Sequence, residues 1–262
     1  ALTGPLDRGK GAQNLDTVLT LDHVSKIYHN GRGARNITFS VERGQVVGLL
    51  GPNGSGKTTI MKSITGLSQP TEGTITVFGA PVTDREKALM QVGALIEQPA
   101  LYENLTAQDH LRMAARYYPG VDQARMDKVL EIVGLTPYRK ERCGKFSLGM
   151  KQRLGIARAL LAKPKLLLLD EHTAALDPQT AQKVLELTSE IVEEQRLTAL
   201  MVTHNMKDAI QIGNRLIMMN DGHIIYDVRG EEKKNLTVDD LLKKFAEASG
   251  KEFANDRMML AN

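Results

Sequence analysis

Gly51-Pro52-Asn53-Gly54-Ser55-Gly56-Lys57-Thr58-Thr59 follows directly on the apolar run Val46-Val47-Gly48-Leu49-Leu50. Five apolar residues ended by a glycine read as a buried strand. The glycines after them fit the phosphate-cradling spacing G-x-x-x-x-G-K-[ST], with the lysine opening a helix. Gly51, Gly54 and Gly56 admit backbone conformations closed to residues with a Cβ, so successive N–H groups can converge on phosphate oxygens at that helix N-terminus. The stretch from Gly51 to Thr59, comprising Pro52, Asn53, Ser55 and the residues already named, is the expected phosphate cradle. Lys57 would reach the β- and γ-phosphates and the Thr58 hydroxyl would hold Mg²⁺. Strand, glycine loop and helix in that order make the fold α/β, with a P-loop nucleoside-triphosphatase (NTPase) core.

The segments around the loop extend this reading. Residues 20–28, 37–41 and 74–78 alternate apolar and polar side chains between glycine-rich turns, which is the pattern of half-buried strands and predicts a small N-terminal antiparallel sheet. From about residue 85 to 160 the pattern changes to helical spacing, clearest at 109–118, 122–133 and 151–161, and predicts a helical subdomain inserted at about 97–160. Leu166-Leu167-Leu168-Leu169 resumes the core. A helix over 178–194, a strand over 198–203 and a hairpin about Asn220-Asp221-Gly222 follow. The expected domain thus covers 19–227, after a loose leader at 1–18 and before a charged, mostly helical tail at 228–262.

Composition narrows the function classes. Hydrophobic residues at 42% and charged residues at 25% of 262 are ordinary for a soluble globular protein and argue against disorder. No apolar stretch approaches the roughly 18 residues needed to span a bilayer, and the first residues carry no apolar core of a signal peptide. The single cysteine, Cys143, cannot close an internal disulfide; the chain reads as cytosolic. The net charge of +3 comes from 34 basic against 31 acidic residues with no basic stripe among aromatics, so no nucleic-acid partner is expected.

Two acids, Asp170 and Glu171, end the leucine strand. A buried parallel strand accounts for the leucines but not for carboxylates at its C-terminal end, where open α/β sheets bind ligands. Asp170 is the expected partner of Mg²⁺ and Glu171 the group that polarises the water attacking the γ-phosphate.

With these residues in hand the chain resembles the ATP-binding subunit of an ATP-binding cassette (ABC) transporter, from about residue 19 to 226. Ser147-Leu148-Gly149-Met150-Lys151-Gln152-Arg153 resembles the family signature LSGGQ, with Leu148 and Met150 in place of the usual Gly and Gln. The resemblance implies that Ser147 and Gly149 face the γ-phosphate of ATP bound to another subunit. It further implies that Gln98 senses Mg²⁺ and the membrane partner, and that Asp177 belongs to the loop following the acids. His204 would bond the γ-phosphate as a third catalytic group with Glu171 and Lys57, and Tyr28 would stack on adenine. Ser147 and Asp177 also read as helix N-caps, the latter before Pro178. His172 replaces the family's usual proline, and we read it as a spacer in the turn after Glu171.

The resemblance implies an ATP- and Mg²⁺-dependent homodimer arranged head to tail, bound to transmembrane permease subunits on the inner face of the membrane. Residues 146–164 (FSLGMKQRLGIARALLAKP) resemble exporter ATPases for bacitracin and lantibiotics. Residues 170–178 (DEHTAALDP) and 201–209 (MVTHNMKDA) instead resemble ATPases of binding-protein-dependent uptake systems, some for aromatic amino acids. An unusual subfamily and a fusion joined near 163–169 both fit this conflict. A non-transport ABC ATPase of DNA repair or translation is the alternative class, although the chain has neither a long coiled-coil insertion nor a second cassette. A GTPase is opposed by Asn205-Met206-Lys207-Asp208, in which the lysine falls one place late for guanine recognition.

Overall fold

The computed structural model describes residues 16–249. Most of the expected leader and the end of the expected tail, 250–262, lie outside them. The order is β1 (Thr17–Ile27), β2 (Gly33–Glu42), β3 (Val46–Leu50), α1 (Lys57–Ile64), β4 (Glu72–Val77), β5 (Ala80–Pro81), α2 (Arg85–Leu89), β6 (Val92–Leu95), α3 (Ala107–Ala115), α4 (Gln123–Ile132) and α5 (Leu148–Leu160). There follow β7 (Leu166–Asp170), α6 (Pro178–Glu194), β8 (Thr198–Thr203), α7 (Met206–Gln211), β9 (Arg215–Asn220), β10 (His223–Arg229), α8 (Gly230–Lys234) and α9 (Val238–Ser249). The first strand begins at Thr17, so Thr17 and Val18 belong to the sheet and not to a leader.

Two sheets organise the chain. The N-terminal one runs β2-β1-β4-β5 and is antiparallel; the larger runs β10-β9-β3-β8-β7-β6, parallel from β9 through β6 with β10 antiparallel at the edge. β6 is a strand that the helical pattern from about residue 85 did not reveal. Val92-Gly93-Ala94-Leu95 pairs in parallel with Leu166–Leu169, a four-residue run whose glycine and alanine hide the strand pattern. Gly93 is required there, because a Cβ would meet the Ala159 carbonyl oxygen at 2.2 Å.

The central strands are buried on both faces, and their period of two divides the core. Leu167 and Leu169 of β7 pack toward α3, α4, α5 and α6, whereas Leu166 and Leu168 pack toward α1 and the N-terminal sheet. A third cluster gathers Leu50, Met206, Ala209, Leu216, Met218, Leu241 and Phe245 beneath α7 and α9.

Several helices begin where side chains supply caps. Thr106 and Asp109 form a reciprocal box at α3, Asp122 caps α4, Ser147 caps α5 and Asp177 caps α6 with Pro178 in its first turn. Each cap is worth about 1 kcal/mol. Arg215 closes the sheet edge, 7% exposed, with two bonds to Asp227 at 2.8 and 2.6 Å and one to the Ser40 carbonyl. No described helix is long and apolar enough to cross a membrane.

Candidate functional site

β3, β8 and β7 lie side by side, with Leu50 opposite Thr203 and Asp170 opposite Val202. Their C-terminal ends therefore deliver the glycine loop, His204 and the Asp170–Glu171 pair to one place. The loop turns tightly. Gly56 has φ 97°, and a Cβ there would stand 2.6 Å from the Gly33 carbonyl oxygen. At Gly51 a Cβ would lie 2.5 Å from both the Met219 carbonyl oxygen and Ser55 Oγ. No side chain caps α1, so its first N–H groups point free from a helix whose dipole favours an anion.

Lys57 is 3% exposed and donates its Nζ to the carbonyls of Gly51 at 2.8 Å and Pro52 at 3.0 Å, with Glu171 Oε1 at 3.5 Å. Burial pulls its pKa down, and the charges of Glu171 and Asp170 oppose that. Glu171 stands in a left-handed backbone conformation, φ 45°, a strained position for a residue with a Cβ. His204 Nδ1 approaches Glu171 Oε1 at 3.8 Å, beyond hydrogen-bond range but close enough for charge to act. His204, ahead of the Lys57 ammonium, holds the Glu171 carboxyl below the usual carboxylate range against burial.

Asp170 is fully buried, and neither carboxylate oxygen closes a hydrogen bond. Burial pushes it up to about 6, while Thr58 in the first turn of α1 and Lys57 pull it down. A buried carboxylate with both oxygens open, beside a hydroxyl and an anion-binding helix end, fits a divalent cation. The described residues hold no cluster of three or more His, Cys, Asp or Glu able to take a metal on protein ligands alone. That donor set suits Mg²⁺, which is usually carried by one or two protein oxygens together with substrate phosphates.

The other expected residues lie on further loops and helix starts. Gln98 is exposed in the loop after β6, beside Glu97, whose φ is 59°. Lys62 on α1 reaches Glu97 Oε1 at 2.7 Å, tying this loop to the helix that begins with Lys57. Gln98 also lines a groove of about 760 Å³ with Pro99, Tyr102, Tyr117 and Arg158. Ser147 Oγ accepts from Met150 N–H at 3.3 Å, and Asp177 from Thr180 N–H at 3.0 Å. Gly149 sits so close to α6 that a Cβ would meet Thr180 Cγ2 at 2.5 Å. Among the described residues no hydrogen bond or ion pair joins Ser147, Gly149 or Asp177 to Lys57, Asp170, Glu171 or His204. Tyr28 lies one residue past β1 in a turn and is 41% exposed, with Lys26 Nζ 5.8 Å from its ring centre.

His172 is buried, with both ring nitrogens unpartnered and its pKa lowered to about 4 by burial. Sequence reasoning missed Lys62 and Asn205. Asn205 caps α7, accepting from the N–H groups of Lys207 at 2.8 Å and Asp208 at 3.2 Å. Its signal was available, since an Asn before a helical run is a cap residue; Lys62 offered none, because its partner lies 35 residues away.

The sequence matches the family model described as "ABC transporter" over residues 34–174. A tyrosine transport ATP-binding protein of Clostridioides difficile (strain R20291) is 36% identical over 247 residues, which cover 87% of this chain and 98% of that protein. A bacitracin transport ATP-binding protein of Bacillus licheniformis is 35% identical over 215 residues, 82% of this chain and 70% of the relative. Either match is long enough to span both sides of 163–169, so the comparisons give the fusion reading no support. Among solved structures, an ATP-binding subunit of an ABC transporter superposes with TM-score 0.74 at 29% identity, covering 88% of this chain and 99% of its own. A dimeric, post-hydrolysis ATP-binding cassette bound to ADP and Pi superposes with TM-score 0.71 at 28% identity, over 80% and 98%.

Proposed function

This chain belongs to the family of ABC transporter ATP-binding proteins, and from that premise we propose how its own residues carry out the hydrolysis of ATP. It is an ATPase that works with Mg²⁺ and powers transport as the ATP-binding subunit of a transporter. The reading of the site rests on one observation: Lys57, Asp170, Glu171 and His204 converge beside the uncapped N-terminus of α1.

The backbone from Gly51 to Thr59 cradles the phosphates, and Lys57 exchanges its carbonyl partners for β- and γ-phosphate oxygens. Thr58, Asp170 and Gln98 are the residues that hold Mg²⁺. The metal, when bound with nucleotide, neutralises charge on the phosphoryl group in transfer. Glu171, kept ionised by His204 and Lys57, accepts a hydrogen bond and then a proton from the attacking water at its carboxylate. His204 bonds the γ-phosphate and Tyr28 stacks on the adenine. These roles supply positioning and charge compensation, on which phosphoryl transfer chiefly depends.

Ser147 and Gly149 stand at the start of α5, a 13-residue helix, and among the described residues no hydrogen bond or ion pair joins them to the chain's own Lys57. A second copy placed head to tail brings them to the γ-phosphate, with Asp177 at the same seam. The groove beside Gln98 receives a helix of the permease, which holds the chain at the cytoplasmic face of the membrane. Relatives named for tyrosine and for bacitracin match at 36% and 35% identity, so the cargo follows the membrane partner. Calorimetry of Lys57→Ala tests the site: ATP binding is lost with the fold intact, and unchanged affinity overturns the reading.

A further inference from the structure

His204 is followed at once by Asn205 and α7, a helix of only six residues. The placement of α7 therefore decides where the imidazole stands against Glu171. Asn205 closes its first turn. Its other end is closed from far along the chain. Lys233 of α8, 4% exposed, donates its Nζ to the carbonyls of Ile210 at 2.5 Å, Ile212 at 2.8 Å and Gly213 at 2.9 Å. The first two are carbonyls that a helix end leaves without intrahelical partners, and Gly213 belongs to the turn that follows it. α9 adds a third hold, because Met206 and Ala209 share a buried cluster with Leu241, Phe245 and Leu50, the residue just before the glycine loop.

The chemistry of Lys233 says more than staple. Among the described ion pairs no carboxylate meets it, and burial lowers its pKa. An ammonium buried without a counter-charge is a costly way to fasten a helix that apolar side chains already hold. What three bonds from one nitrogen supply is a fixed position, since their acceptors must stay where that nitrogen can reach all three.

We propose that Lys233 is a positioning residue for ATP hydrolysis: through its three carbonyl bonds it fixes α7 and so sets the His204 imidazole against Glu171, making α8 and α9 part of the support of the site. The inference rests on the reading of His204 as the γ-phosphate residue.

The test is a double-mutant cycle on the full chain, with ATP turnover measured well below the melting temperature of every variant. Lys233→Met keeps the length and removes the donors. It lowers kcat about tenfold while the ATP dissociation constant stays within about twofold. In a His204→Ala background the same substitution costs less than twofold more, because residues acting through one another are not additive. Lys233→Gln, which can serve two carbonyls at most, gives an intermediate loss and carries the test should Lys233→Met fail to fold. A lowered melting temperature with unchanged kcat, or losses that add in the double variant, overturns the proposal while leaving the site reading intact. Unchanged turnover in His204→Ala alone overturns the site reading, and this proposal with it.

Discussion

Glu171 is held ionised by neighbours it must partly give up. Lys57 at 3.5 Å and His204 at 3.8 Å both favour its charged form, and both are expected to turn to phosphate once ATP enters. Glu171→Gln keeps the size and most hydrogen bonding but removes the proton acceptor. Its turnover should fall at least ~100-fold with ATP binding retained, a loss of the size general bases supply. Fast turnover would remove the catalytic assignment. His172, the next residue, makes the opposite case. Its pKa is moved down to about 4, so the imidazole stays neutral across the range in which the enzyme would be assayed, from pH 5.5 to 8. His172→Pro should leave kcat within about tenfold, less than about 1.4 kcal/mol in the barrier, and should leave the pH–rate profile unchanged in shape. Loss of a limb near 6.5, the ordinary value for histidine, would show that it titrates in the mechanism. Lys57, Asp170 and Glu171 were legible in the sequence because each stands at a strand end or glycine loop where its residue type is otherwise unexplained, whereas His204, a residue type that a strand end readily accommodates, was legible only through the family resemblance and its place after Glu171. Lys62 and Lys233 were not, because a lone lysine on a helix, like a lysine in the charged run Glu231–Lys234, reads as solvated surface, and their partners are 35 and about 20 residues away.

The helix that opens at Ser147 shows how an element is set by one neighbour. Gly149 lies in the first turn of α5 against Thr180 in the first turn of α6. An alanine there gains up to about 1 kcal/mol in helix propensity but drives its methyl to 2.5 Å from Thr180 Cγ2, and overpacking of this kind costs roughly 1–3 kcal/mol. The clash wins: Gly149→Ala should lower the urea midpoint, and Thr180→Ser, which deletes Cγ2, should restore it. A variant as stable as the parent would mean that α5 and α6 slide freely past each other. Elements with a strong period or a cap residue were readable in advance, among them the strands over 46–50 and 166–170 and the helix at Pro178–Glu194. Others were not. Val92–Leu95 mixes Gly93 and Ala94 into its apolar run, unlike the leucines of 166–169, and the helices Arg85–Leu89 and Met206–Gln211, although capped by Asp84 and Asn205, have only five and six residues, too few for a helical period to show.

At the scale of the molecule, one chain carries, on the proposed reading, both halves of a nucleotide site, of which only one is assembled about its own Lys57. Glu171→Gln in Mg²⁺ and ATP should therefore scatter light as a particle of twice the 28.8 kDa chain mass, and the dimer should dissociate when ATP is removed. A monomer under those conditions would defeat the head-to-tail arrangement. The larger sheet also fixes an order of assembly in time. β3, the strand that ends in the phosphate loop, pairs only with β8 and β9, about 150 residues further on. At about 5–20 residues per second of synthesis, its apolar edges wait on the order of ten seconds or more for their partners. The antiparallel hairpin of β1 and β2 and the local contacts of α3, α4 and α5 can form meanwhile, because near neighbours cost less chain entropy to join. The strand before the glycine loop thus stays open on both sides until β8 and β9 have been made, and a chain cut short before β8 leaves it as an exposed apolar ribbon, a target for aggregation or for a chaperone.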